Sequence, residues 1–285
     1  MTRIYQAPTD VRFVEANGLR FAIRERGEGP VVLLLHGFPD TPATFEHVMS
    51  PLAAQGYRAV APFMRGYPPT DIPARDTDMV TLGRDALALI RALGETSAVV
   101  VGHDWGAVAA YAAASLEPVR VSKLVAIGIP HPGAMRPTLA ALWGARHLLY
   151  LRSPGAPRRY AAGDFAHVQT LYRRWSPTWE VDEEVFEAVR NTFSAPGAFH
   201  AALGYYRQLP LLFPPKVFRV VLSMPTLLVA GAQDPALTLA DYELARGRRF
   251  SGPFRVVGLA GGHFVHRESP EAFVDVLLDF LGPPA

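Results

Sequence analysis

The chain has 285 residues, 49% of them apolar, which is long for one ordinary domain and ample for a large core. Its formal net charge is only +2, and the basic pairs Arg158-Arg159, Arg173-Arg174 and Arg248-Arg249 are short and separated by acids, so they read as solvated faces and nucleic acid is not expected as a partner. The absence of cysteine removes disulfides, thiolate metal sites and a cysteine nucleophile together.

Along the chain, the opening "MTRIYQAPTD" has no apolar export segment, and the apolar runs are too short to span a bilayer. A cytoplasmic protein that does not contact membranes is expected. Two alternating segments, Arg12–Ala16 and Leu19–Arg26, flank Asn17-Gly18 and predict a β-hairpin. Val31–Leu35 ("VVLLL") reads as a fully buried strand, and similar runs follow at 59–61, 98–101 and 124–127. Helical patterns fall between them at 45–54, 79–93 and 105–115; in the second, Leu82, Ala86, Leu89 and Leu93 recur at helical spacing. This alternation predicts an α/β fold, a parallel sheet covered on both faces.

At Pro130-His131-Pro132 the alternation breaks. The stretch 132–222 is arginine- and aromatic-rich, helical in pattern and marked by proline turns. Strands then resume at 226–230 and Phe254–Leu259, with a closing helix at 271–281. The expected organisation is a core from 1–131 and 223–285, with a helical cap inserted after the sixth strand at 132–222. No repeat, zinc spacing or phosphate loop appears.

The chemistry-bearing pieces sit where strands end. In Gly102-x-Asp104-x-Gly106 the central residue lies on a sharp strand-to-helix turn that pushes its side chain up at the sheet edge. Asp104 there is either a nucleophile or an ordinary helix N-cap. The loop His36-Gly37-Phe38-Pro39-Asp40 brings the Phe38 backbone N–H toward the same turn, where the Trp105 N–H also points, so the two can form an oxyanion hole. After the strand at 226–230 comes Asp234, and after Phe254–Leu259 comes His263, in the order nucleophile, acid, histidine. His263 is preferred to His266 as base because Gly261-Gly262 lets its loop approach the turn; His266 is expected on the surface.

Taken together, "HGFPD" (36–40), "RGY" (65–67), "GHDWGA" (102–107), "GYYR" (204–207), "GAQD" (231–234) and "GGHF" (261–264) make the chain resemble α/β-hydrolases of the epoxide hydrolase group over essentially its whole length. The resemblance implies an α/β-hydrolase fold, a mostly parallel sheet carrying an N-terminal hairpin. It implies Asp104 as nucleophile, His263 as base, Asp234 as its orienting acid and Tyr206 as donor to the epoxide oxygen, with no cofactor and no metal. One departure stands out. Epoxide hydrolases usually carry a second cap tyrosine about seven residues before a Pro-Gly; here that position is His147, with Tyr150 one helical turn later, and either residue is a candidate second donor. Phe63 and Pro68 also depart from the usual residues around "RGY", with no mechanism attached.

A carboxylate in place of serine narrows the chemistry. It is already ionised at neutral pH, and its attack on an sp³ carbon gives an ordinary ester that a base-activated water can hydrolyse. The substrate is then an alkylating small molecule, an apolar epoxide first. A haloalkane acted on by the same Asp104, His263 and Asp234 is the alternative, and an ester or amide hydrolase or a non-catalytic binding protein is less favoured. A homo-oligomer is neither indicated nor excluded.

Overall fold

The computed structural model describes residues 3–135, 146–210 and 213–284. Asn17 and Gly18 both take positive φ, 46° and 75°, the pairing whose twist matches that of a two-residue hairpin. They turn β1 (Arg12–Ala16) into β2 (Leu19–Arg26), with Ala16 opposite Leu19. The strands β3 (Val31–Leu35), β4 (Arg58–Pro62), β5 (Ala98–His103), β6 (Val121–Ile127), β7 (Thr226–Gly231) and β8 (Phe254–Leu259) complete one sheet in the order β1-β2-β4-β3-β5-β6-β7-β8. The pairs β1/β2 and β2/β4 are antiparallel and the rest parallel.

In chain order, α1 (Glu46–Ala54), α2 (Met79–Ala92) and α3 (Trp105–Leu116) connect the first strands. Between β6 and β7 run α4 (Arg146–Arg152), α5 (Ala156–Trp175), α6 (Glu183–Ser194) and α7 (Ala198–Arg207). The short α8 (Leu239–Glu243) and α9 (Val265–Glu268) precede the closing α10 (Pro270–Leu281). Helix α5 is interrupted at 162–165, where Gly163, Asp164 and Phe165 take positive φ.

The period-two alternation of the buried strands divides the core. Val32, Leu34, Val99 and Val101 face α1 and α10, packing with Val48, Leu52, Phe273 and Leu277. Leu33, Leu35, Val100 and Leu124 face α2 and α3, packing with Leu82, Leu89, Ala109 and Ala113. Each fully buried Leu or Val contributes about 2 kcal/mol, and the continuous apolar strands follow from having two covered faces. β8, at the sheet's edge, is only half-buried.

Helices α5 and α7 stand over the C-terminal ends of the strands. Tyr172 donates to the Pro39 carbonyl after β3, and Tyr205 donates to the Arg65 carbonyl after β4. Arg65 itself is buried in a bidentate pair with Asp85 of α2, which also accepts from Asn17 of the hairpin. Among the described residues, no helix is long and apolar enough to cross a membrane.

Candidate active site

Strand β5 enters α3 through Asp104, whose φ of 52° and ψ of −116° lie where a side chain is rarely tolerated. Such backbone strain costs about 1–3 kcal/mol and is held only when the surroundings over-determine it. Gly106 is part of that constraint, because a Cβ there would lie 1.9 Å from the Leu35 carbonyl oxygen. The Asp104 side chain makes no capping bond to α3, so the N-cap alternative does not hold. Its Oδ1 instead accepts the Phe38 backbone N–H at 2.8 Å. Trp105 opens α3, and N–H groups of a first helical turn have no acceptor within the helix.

His263 lies between two carboxylates. Its Nε2 is 3.5 Å from Asp104 Oδ2, and its Nδ1 is 3.7 Å from Asp234 Oδ2. The second distance is too long for a hydrogen bond, so the pair is an electrostatic contact. The Asp234 carboxylate is aimed by its other oxygen, which accepts the Ala236 and Leu237 backbone N–H groups at 2.8 and 3.0 Å. Burial pushes the His263 imidazole toward the neutral form, but Asp104 and Asp234 outweigh it and lift its pKa from 6.5 to about 9. Burial likewise opposes ionisation of Asp104, yet His263 and the Phe38 N–H hold its carboxyl below the usual range.

These groups floor a cavity of about 230 Å³ with walls that include Met79, Val108, Ile129, Leu148 and Leu237. Trp105, Trp175 and Tyr206 also line it. The Tyr206 ring packs edge-on against Phe38 and Trp105, both at 5.2 Å, and only 2% of the residue is exposed. Burial raises its phenol well above 10, Asp104 adds to the shift, and the Trp105 indole offsets part of it. Tyr206 is therefore a neutral phenol lining the same cavity as Asp104.

Tyr150 is not brought to the site. It is 43% exposed and packs on Tyr160 and under the Arg159 guanidinium. Leu148 lines the cavity instead; two residues apart on α4, the two side chains point nearly opposite ways. The side chain of His147 lies outside the described residues.

His266 is not on the surface. It is fully buried, its ring 4.4 Å from that of His103 and its Nε2 2.7 Å from Thr44 Oγ1. The three buried histidines near the β5–α3 turn stay neutral, because burial lowers His36 to about 4, His103 to about 3 and His266 well below 6.5. His36 works on backbone, its Nδ1 donating to the Gly37 carbonyl and its Nε2 accepting the Met64 N–H. Among the described residues, Asp40, His103 and His266 are the group of side chains that lie near enough together to gather around a cation. None of the three lines the cavity. The places of Trp175 and Leu148 in the cavity wall had no local signal; each depends on what a distant segment brings against it.

The family model described as "alpha/beta hydrolase fold" matches residues 30–270. The chain is 32% identical to epoxide hydrolase A of Mycobacterium tuberculosis, with 96% of this chain and 98% of that one covered. It is 30% identical to an epoxide hydrolase of Caballeronia sordidicola, covering 94% and 92%. Among solved structures, an epoxide hydrolase from Vigna radiata superimposes with a TM-score of 0.82 at 27% identity, covering 95% of this chain and 97% of that one.

Proposed function

The chain belongs to the alpha/beta hydrolase fold family and, within it, to the epoxide hydrolases; from that membership we propose that it opens an apolar epoxide to a vicinal diol through a covalent ester on Asp104. The observation that carries the mechanism is the division of the Asp104 carboxylate. Oδ1 is held by the Phe38 N–H, while Oδ2 faces His263 at 3.5 Å.

In this reading Oδ2 attacks a ring carbon, the C–O bond of the epoxide breaks, and the departing oxygen takes a proton from the solvent-replenished donor Tyr206. Esterification removes the Asp104 charge that helps keep His263 protonated, so the imidazole gives its proton through solvent to the Tyr206 phenolate and can then accept one from water. That water attacks the Asp104 carboxyl carbon. The negative charge develops on Oδ1, already directed at the Phe38 N–H, with the Trp105 N–H as second donor; one such donor is worth roughly a hundredfold or more in rate. Collapse of the intermediate breaks the bond between the carboxyl carbon and the substrate-bound oxygen, which takes a proton relayed by His263 from the added hydroxyl, so that the diol leaves and the Asp104 carboxylate is restored. Asp234 holds the imidazole and offsets its charge.

The apolar walls favour a substrate whose substituents are hydrocarbon or aryl. Helices α4 to α7, within 132–222, act as the cap that closes the cavity over the core. The absence of cysteine fits a cytoplasmic enzyme. A haloalkane remains the second reading on one observation: Trp105 and Trp175 both line the cavity, and an indole N–H is a donor of the kind a halide accepts.

A single turnover of styrene oxide in ¹⁸O-water tests the covalent route. The first diol should carry the Asp104 oxygen and no label, which appears in the carboxylate instead. Label in the first-turnover diol means direct attack by water and removes Asp104 as nucleophile.

A further inference from the structure

Three consecutive backbone N–H groups on the loop that carries the base are held from outside that loop's own strand. Gly262 donates to Glu268 Oε1 at 2.8 Å, His263 to the Trp175 carbonyl at 2.9 Å, and Phe264 to Ser176 Oγ at 3.1 Å. Two of the acceptors belong to the end of α5 and the residue after it, within the cap. Glu268 ties the arrangement together: the Ser176 hydroxyl donates to its Oε1 at 2.6 Å and the Thr178 hydroxyl to its Oε2 at 3.3 Å. Ser176 is completely buried. The approach is so close that a Cβ on Gly262 would fall 2.6 Å from the Trp175 oxygen and 2.7 Å from the Ser176 Cα. The Trp175 ring also packs edge-on against the His263 imidazole, 5.4 Å between centroids. On the core side, His263 has its carbonyl engaged by His103 Nε2 at 3.0 Å.

The base is thus gripped by its N–H from the cap and by its C=O from the core. Asp104 and Tyr206, which would form the ester, belong to the β5–α3 turn and to α7, outside this clasp. We propose that Ser176 and Glu268 are positioning residues through which the cap sets the working position of His263, so that breakdown of the ester depends on them and its formation does not. The inference rests on the covalent mechanism above. Its physical basis is that proton abstraction from water requires a donor–acceptor placement that a shift of about 1 Å degrades by roughly a hundredfold. Without Ser176 Oγ, the Phe264 N–H is left buried without its acceptor and Glu268 loses a donor, so the loop must move.

Rapid-quench intact-mass measurement with styrene oxide separates the two steps. For Ser176→Ala, ester formation is expected within about twofold of the parent rate while breakdown slows by about tenfold or more, so that adduct accumulates. Glu268→Ala is expected to show the same split, which keeps the test open should Ser176→Ala not fold. Glu268→Gln retains an acceptor oxygen and is expected to recover breakdown. Parallel slowing of both steps, or no change in breakdown, overturns the inference; a lower melting temperature alone does not support it. His263→Gln is the control: if it accumulates ester while Ser176→Ala breaks ester down normally, only the positioning role falls. If His263→Gln forms no ester, the covalent reading falls and takes this inference with it.

Discussion

His263 Nε2 stands 3.5 Å from Asp104 Oδ2, so the charge of one group controls the proton of the other. With Asp104 ionised, the imidazole holds its proton up to about pH 9. With Asp104 esterified, a main source of that stabilisation is gone and the pKa falls. The breakdown rate in single-turnover experiments should therefore rise with pH along an acid limb centred below 9, then level off. Ester formation needs ionised Asp104, whose pKa is already low, and should not share that limb. Quenched-flow rates for the two steps across pH 5 to 10 check this; a common limb would mean that His263 acts alike in both.

The same contact has a consequence for stability. The folded pKa of His263 is raised above its unfolded value of about 6.5, so its stabilising contribution is complete below that pH and is lost as pH rises through about 9. The melting temperature of the parent protein, measured against that of His263→Gln, should lose ground between about pH 6.5 and 9. A constant difference across that window would show that the imidazole is not held charged by Asp104 and Asp234.

Tyr206→Phe should slow ester formation by about a hundredfold and leave breakdown nearly unchanged, because the lost O–H acts on the departing oxygen only. The ring contacts with Phe38 and Trp105 are kept, so the fold should persist. Stopped-flow quenching of tryptophan fluorescence with styrene oxide reads the step directly, since Trp105 and Trp175 both line the cavity. If the variant forms ester at the parent rate while 1-bromohexane is turned over freely, the halide reading prevails.

Asp104 carries a φ of 52°, a conformation that glycine adopts without strain. Both Asp104→Ala and Asp104→Gly should be inactive, and the glycine variant should be the more stable by about 1 kcal/mol or more. Urea unfolding of the two variants gives the comparison. Equal stabilities would mean that the turn relaxes when the carboxylate is removed.

What the sequence made legible follows the range of the interactions. Asn17-Gly18 specifies its own turn, and Val31–Leu35 announces a strand covered on both faces, because both signals are local. That Asp104, Asp234 and His263 come together could be expected because open parallel sheets gather such groups at C-terminal strand ends. Tyr206 was visible only through the "GYYR" resemblance. Of the two alternatives for a second donor, Tyr150 stays away from the cavity, because distance from the Pro-Gly does not report which face of α4 meets it, and Leu148 holds that face. His266 was misread because its burial is decided by Thr44 and His103, more than a hundred residues away. The grip of Trp175 and Ser176 on the His263 loop is of the same long-range kind.

The covalent ester is tested most directly by intact-mass analysis of His263→Gln after exposure to styrene oxide, followed by peptide mapping. The protein mass should rise by that of one whole epoxide, the ring oxygen being retained as a hydroxyl, with the added mass on the peptide that contains Asp104 and absent from Asp104→Asn/His263→Gln. An unmodified protein, or an adduct carried by another residue, would contradict Asp104 as the nucleophile.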